Sequence, residues 1–261
     1  MITVNLKGGL GNQMFQYARA RARAKDAQIA LNVYELEHPA PGDTPRSFAL
    51  GDFALGPYTI VREPRTLIHK VADRIMRTLQ PDWGYFQSEH YFASEAVRIR
   101  NEFSLRTEMT EDADLINTKI HNTPCAVSLH VRRGDYVKNP EVLRDFGVCS
   151  LQYYECAIAH VQKELPSAHF FVFSDDIPWV REHLLVGNNA TFVEGKGLTD
   201  KIELVLMSQC AHNIIANSSF SWWGAWLNAN PEKIVVAPKP WFDRAPYNPD
   251  IIPKSWIQIS K

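Results

Sequence analysis

The sequence predicts an α/β protein built on parallel sheets. Three observations predict it. Short apolar runs alternate along the chain with stretches of helical spacing, the pattern of βαβ units. The runs are continuously apolar, as strands covered on both faces are. Four of them end in clusters of Gly, Arg, Asp or Ser and Asn, where open parallel sheets bind ligands beyond the carboxyl ends of their strands.

In chain order, "ITVNL" is a strand ending at Lys7-Gly8-Gly9. "GNQMFQYARARARAKDA" reads as a helix, with Asn12 as a plausible N-cap. Met14, Phe15, Ala18 and Ala22 share one face; Arg19, Arg21, Arg23 and Lys25 take the others. "AQIALNVY" is the second strand. Residues 37–60 are rich in Pro and Gly and resist assignment. Residues 62–80 and 88–100 have helical spacing, with the aromatic stretch "GYFQSEHYF" between them. An acidic helix covers 110–121, and Pro124 breaks it. The composition shifts at 120–124, which sets the expected boundary between domains 1–123 and 124–261.

The second half is more regular. "CAVSLHV", "HFFVFSDD", "ATFVEG", "HNIIANSS" and "KIVVAP" are strands. "LQYYECAIAHVQKEL", "IPWVREHL", "TDKIELVLMSQC" and "SFSWWGAWLNAN" are helices. Pro178 suits a first helical turn. Asp200 and Glu203 suit a capping box. Trp222, Trp223 and Trp226 recur at helical spacing and read as core. There are no repeats or low-complexity segments.

The 261 residues allow one large or two medium domains. Lys and Arg total 28 against 29 Asp and Glu, a net charge of -1. That excludes a general polyanion binder, so no nucleic-acid partner is expected and any anion site is local. The four cysteines lack C-x-x-C pairing and read as buried free thiols. The N-terminus has no signal-peptide pattern. No stretch approaches the roughly 20 apolar residues of a membrane span. The expected location is cytoplasmic, with a loose peripheral attachment to the inner face of the membrane left open.

The first strand-end cluster is "KGGLGNQ". Gly8, Gly9 and Gly11 permit a sharp turn and close backbone approach, and the following helix offers N–H groups. Met14 stands where a dinucleotide fingerprint has its third glycine. The cluster is therefore either a plain strand-to-helix turn or a substrate contact. The second is "HVRRGDY". Arginine keeps its charge and presents a planar fork of donors that fits phosphate. Adjacent strand side chains diverge. One of Arg132 and Arg133 is thus expected on a ligand and the other on Asp135 or another acid, with His130 in phase with Arg132.

The third cluster is "FSDD". Ser174, Asp175 and Asp176 either grip ribose hydroxyls or a guanine edge, or Asp176 simply caps the next helix. The fourth is "NSSFSWW". Asn217, Ser218, Ser219 and Phe220 fall where a strand hands over to a helix: an anion site, or a plain serine cap. The only D-x-D, Asp112-Ala113-Asp114, lies in the acidic helix and reads as a solvated face. Together the clusters describe a diphosphate site with no metal motif at a strand end and no Walker lysine.

In sequence, "GGLGNQMFQYA", "GYFQSEHYF", "HVRRGDYV", "FGVCSLQYY", "FSDD", "ELVLMSQCAHNIIANSSFSWWGAWLN" and "PKPWF" resemble the bacterial α-1,2-fucosyltransferases of glycosyltransferase family 11, in the same order from residue 8 to about 242. The resemblance implies a GT-B-like pair of Rossmann-type domains, an acceptor-side N-terminal one and a C-terminal one that binds the GDP-sugar. It implies inverting transfer of L-fucose from GDP-β-L-fucose to the 2-hydroxyl of a galactose, without a metal or other cofactor. The acceptor implied is a galactose-terminated glycan, such as a bacterial surface polysaccharide or its lipid-linked repeat.

Arg132 matches the diphosphate-binding arginine, Asp176 a nucleoside-contacting acid, and Ser218 and Ser219 phosphate contacts. Asn12 matches an asparagine near the donor or acceptor. Asp135 is a candidate base by position, but pairing with an arginine lowers the pKa of a carboxylate and makes it a poor one. Acceptor choice is expected within 37–80 and around 85–92. Three other readings compete: a dinucleotide-dependent oxidoreductase, suggested by Gly9 and Gly11; a nucleotide-sugar-binding module without transfer; and a GDP-sugar glycosyltransferase with a different sugar, acceptor or linkage.

Overall fold

The computed structural model describes residues 1–39, 45–79, 84–134, 137, 139–244 and 248–261. They form two compact units. The first is Met1–Thr107 with Pro246–Pro253; the second is Glu108–Ala245 with Lys254–Lys261. The division falls one helix earlier than the composition shift suggests. Helix 111–121 packs within the second unit, against helix 200–209.

The first unit holds a three-stranded parallel sheet in the order β1 (Ile2–Asn5), β2 (Ile29–Asn32), β3 (Tyr58–Val61). Ile2 faces Ile29, and Ile29 faces Tyr58. β3 falls in the Pro- and Gly-rich stretch that resists assignment. It is a half-buried edge strand, and the neighbouring Pro and Gly residues mask its short apolar run.

Helix α1 (Leu10–Ala24) follows β1 and is capped by the backbone of Gly9, not by Asn12, which sits inside the first turn. Two buried glutamines fix its start. Gln16 bonds both the N–H and the C=O of Lys7, and Gln13 bonds Gly8 O, Ser47 O and Ala49 N–H. Arg21 is fully buried, against the expectation of an outward face. Its guanidinium donates to the carbonyls of Lys25, Ala27 and Pro57 and pairs with Glu102 at 3.4 Å. Arginine's fork of donors lets one side chain satisfy several loop carbonyls while its charge is paired. The short helix α2 (Tyr34–Glu37), α3 (Leu67–Leu79) and α4 (Ala96–Glu102) complete the unit's α-helices among the described residues.

The second unit begins with α5 (Glu111–His121), capped by Thr110, and continues with β4 (Ala126–Val131). Then come α6 (Pro140–Phe146), α7 (Leu151–Glu164), β5 (His169–Ser174), α8 (Ile177–His183) and β6 (Ala190–Phe192). It ends with α9 (Asp200–Gln209), β7 (His212–Ile214), α10 (Ser219–Leu227), β8 (Val235–Lys239) and β9 (Ile257–Ser260). All six strands are parallel, in the order β6-β5-β4-β7-β8-β9. Counted from β4, that is 3-2-1-4-5-6, the strand order of a Rossmann sheet. Two successive parallel α/β units are the GT-B-like plan expected.

The core of the second unit joins Val127, Leu129 and Val131 of β4 to Phe170 and Val172 of β5 and to Tyr153, Ala157 and Val161 of α7. Trp222 and Trp223 are fully buried, as their spacing predicts. Lys233 Nζ donates to the carbonyls of Ala225 and Asn228 at the end of α10, a cation where the helix dipole is negative. Helix α9 is capped by Thr199, whose hydroxyl accepts from Ile202 N–H. That puts Glu203 one position too late for a capping box. Asp112 is not merely solvated: it accepts from Lys196 N–H at 2.6 Å. Of the four free cysteines, Cys149 and Cys210 are buried, Cys125 is half-buried and Cys156 is exposed.

Candidate functional site

The strand order reverses between β4 and β7, and ligands of open parallel sheets bind beyond the strand ends at such a point. The residues just past β4 are Arg132 and Arg133. Those just past β7 lead to Asn217 and Ser218. The second, third and fourth sequence clusters therefore converge at one edge of the second unit.

Both arginines pair with the acids that end β5. Arg132 Nη1 lies 2.9 Å from Asp175 Oδ2. Arg133 Nε lies 3.2 Å from Asp176 Oδ2, and its guanidinium stacks 3.5 Å above the Trp179 ring. Arg133 N–H also donates to Asp175 Oδ1. A Cβ at position 134 would collide with the Asp175 carboxylate, so glycine there permits the close approach. Ser174 accepts from Asp176 N–H, and Asp176 in turn caps α8 by accepting from Trp179 N–H. Capping of the next helix, one of the two roles expected of Asp176, is therefore present.

The two arginines are thus held differently. Arg133 is clamped between a carboxylate and an indole, an arrangement that fixes the loop. Arg132 is aligned by one carboxylate oxygen and keeps 26% of its side-chain surface open. Asp135 lies outside the described residues.

His130 is 3% exposed and packs on Phe220, with ring centroids 5.4 Å apart. Burial, aided by the neighbouring Arg132 charge, pushes its pKa down to about 3. The ring is therefore neutral at physiological pH. Its Nδ1 is buried without a hydrogen-bond partner among the described residues. A buried polar atom in that state gains from any ligand group that can bond it.

Ser218 caps α10 by accepting from Phe220 N–H; Ser219 and Phe220 are half-buried beside it. The nine-residue helix directs its N-terminal amides at this edge. Asn217 departs from expectation. It is 1% exposed, and its amide donates to the carbonyls of Phe146, Gly147 and Trp241, while Oδ1 accepts from Cys149. Its side chain braces loops rather than facing a ligand. Asn12 and Gly11 belong to the first unit. There Asn12 Oδ1 accepts from Gln87 Nε2 at 2.8 Å, and Gly11 is buried in the first turn of α1.

One acid near the site was read from the sequence only as a capping-box partner. Glu203 lies in the first turn of α9, close enough to Asp175 for their charges to repel. Burial first, then Asp200 and Asp175, push its pKa up to about 7. Its signal in the sequence is a single acid in "IELVLM", an otherwise apolar helical run.

The raised value makes a pH prediction. The folded state holds the Glu203 proton over a range, from the ordinary carboxylate value up to about 7, where the unfolded chain has already lost it. Stability attributable to this group therefore falls as pH rises through that window. Glu203→Gln is expected to melt higher than the parent at pH 8, with the gap closing towards pH 4.5. A gap independent of pH would show that the carboxyl is not perturbed.

The sequence profile of Glycosyl transferase family 11 matches residues 50–260. The chain belongs to glycosyltransferase family 11. It is similar over its whole length to an alpha-1,2-colitosyltransferase of Escherichia coli, at 33% identity and covering 99% of that protein. It is also 30% identical to the O-antigen biosynthesis glycosyltransferase WbnK of Escherichia coli, over 91% of this chain and 93% of that one. The galactoside alpha-(1,2)-fucosyltransferase 2 of Sus scrofa is 27% identical, over 91% and 72% of the two chains.

Proposed function

We propose that this protein transfers L-fucose from GDP-β-L-fucose to the 2-hydroxyl of a terminal galactose, inverting the anomeric centre and using no metal. The carrying observation is Arg132, partly open and aligned by Asp175, at the switch point of a Rossmann sheet beside the N-terminus of α10. As the C1–O bond of the fucosyl donor breaks, negative charge grows on the β-phosphate of the leaving GDP. Fixed donors aimed at that charge lower the barrier without reorganising. Arg132 and the amides behind Ser218 fill that role in this reading, and the neutral His130 ring, Ser174 and Asp175 lie where a nucleoside would reach. The acceptor hydroxyl attacks the opposite face of an oxocarbenium-like sugar. Its proton passes to a base or to solvent late in the reaction.

A second donor is favoured by one observation: a relative of matching length is named a colitosyltransferase. Colitose is fucose without its 3-hydroxyl. The test is a competition between GDP-fucose and GDP-colitose with a galactose-terminated oligosaccharide, with the linkage assigned by NMR. An α-1,2-fucosyl product with preference for GDP-fucose supports the proposal. Preference for GDP-colitose replaces the donor. GDP binding without any transfer would leave a binding module.

The metal-free part has its own check. Transfer is expected to keep its full rate in excess EDTA. A rate that collapses with the chelator and returns with manganese or magnesium would refute a mechanism in which arginine and helix amides alone carry the diphosphate.

A further inference from the structure

Helix α3 is built inside out. Its sequence, LIHKVADRIMRTL, has a clean two-sided pattern. At 3.6 residues per turn, Leu67, Ile68, Val71 and Ile75 fall within an arc of about 100°. A surface helix normally turns such an arc towards its core. Here the arc faces out: Leu67 is 77% exposed, Ile68 79%, Val71 51% and Ile75 58%.

The attachment to the first unit runs through the other side. Asp73 pairs with Arg65, which also reaches Glu35 at 3.6 Å and the His69 carbonyl at 3.2 Å. Thr66 caps the start by accepting from His69 N–H. The helix is therefore anchored by charge and presents its apolar face outwards. Of the largest exposed apolar side chains among the described residues, no other four share one helix face at this spacing.

Charge indicates what covers this face. The helix carries three basic residues, Lys70, Arg74 and Arg77, against one acid, Asp73, in a chain whose net charge is -1. A second copy seated symmetrically on the stripe would bring the same positive segment against itself. An anionic surface complements it. An amphipathic helix with a basic polar side and modest overall hydrophobicity lies in the interface of a bilayer, with its apolar side chains below the headgroups. We propose that α3 docks this protein on phospholipid membranes that carry anionic headgroups, as a peripheral attachment and not a span. No helix among the described residues is long and apolar enough to cross a membrane. The proposal does not rest on the donor or acceptor of the reaction.

The experiment is flotation of the full chain with vesicles of phosphatidylglycerol and phosphatidylethanolamine, and with vesicles of phosphatidylcholine alone. The parent is expected to float with the anionic vesicles and to stay behind with the neutral ones. High salt weakens the association, because attraction to anionic lipid is screened. The triple variant Leu67→Ser, Ile68→Ser, Ile75→Ser is expected to lose at least ten-fold of the partition at an unchanged melting temperature, since exposed positions away from packing contribute little to stability. Equal flotation of parent and variant would overturn the proposal. So would failure of the parent to float. A concentration-dependent dimer in sedimentation analysis that the variant abolishes would assign the face to a second copy instead.

Discussion

Arg132→Ala is expected to lower transfer by at least about 10³-fold while the protein stays folded. Loss of one fixed donor to a developing oxyanion typically costs about 10² to 10³ in rate, and Arg132 brings a full charge as well. Its side chain is partly open and outside the hydrophobic core, so stability should change little. The pair with Asp175 is half-exposed, and such pairs contribute about 0–1 kcal/mol. Arg132→Lys is expected to restore less than a tenth of the lost rate, because a lysine keeps the charge but not the planar fork. Near-parent turnover in the lysine variant would show that charge alone suffices. Arg133→Ala is the informative neighbour: with its contacts to Asp176 and Trp179 removed, the loop that aims Arg132 loses its brace.

The second large effect is opposite in kind. Asn217→Ala is expected to damage the fold before it affects chemistry. The amide of Asn217 holds three carbonyls, from Phe146, Gly147 and Trp241. Phe146 O also accepts from Lys261 Nζ, so the heaviest loss falls on Gly147 and Trp241. Each buried polar group left unpaired costs about 1–3 kcal/mol. Two such losses are a large share of a typical stability of about 5–15 kcal/mol. The melting temperature should fall by roughly 8 °C or the protein should become insoluble. Asn217→Asp does not rescue it, because it sets a carboxylate oxygen against carbonyls. If Asn217→Ala instead melts like the parent and loses only donor affinity, the side chain is a ligand contact after all.

These two residues show what the sequence could and could not convey. Arg132 was legible because an arginine pair at the end of an apolar strand needs a reason, and an anion supplies one. Asn217 sits in an equally suggestive place, before two serines at a strand end. Nothing local separates a ligand contact from a brace, because its partners are 24 to 71 residues away. Most strands of the second unit were legible as apolar runs. β9 was not, since it is an edge strand with alternating half-buried and exposed positions. The order that places β4 beside β7 is also invisible in sequence, because a side-chain pattern records which face is buried and not which strand lies next. Arg21 was hidden by its repeat: in "ARARARA" three arginines alternate with alanines and look alike, yet one arginine is fully buried. In α3 the pattern was clear and the usual inference from it, apolar face inwards, is the one the fold reverses.

The central claim is that the switch point of the second unit holds the diphosphate of a GDP-sugar through Arg132. Calorimetric titration of GDP into the full chain, with EDTA present, tests it most directly. Saturable binding by the parent, lost at least ten-fold in Arg132→Ala but retained in the α3 triple variant, is the predicted result. Binding that is unchanged in Arg132→Ala, or that requires a divalent cation, would contradict it.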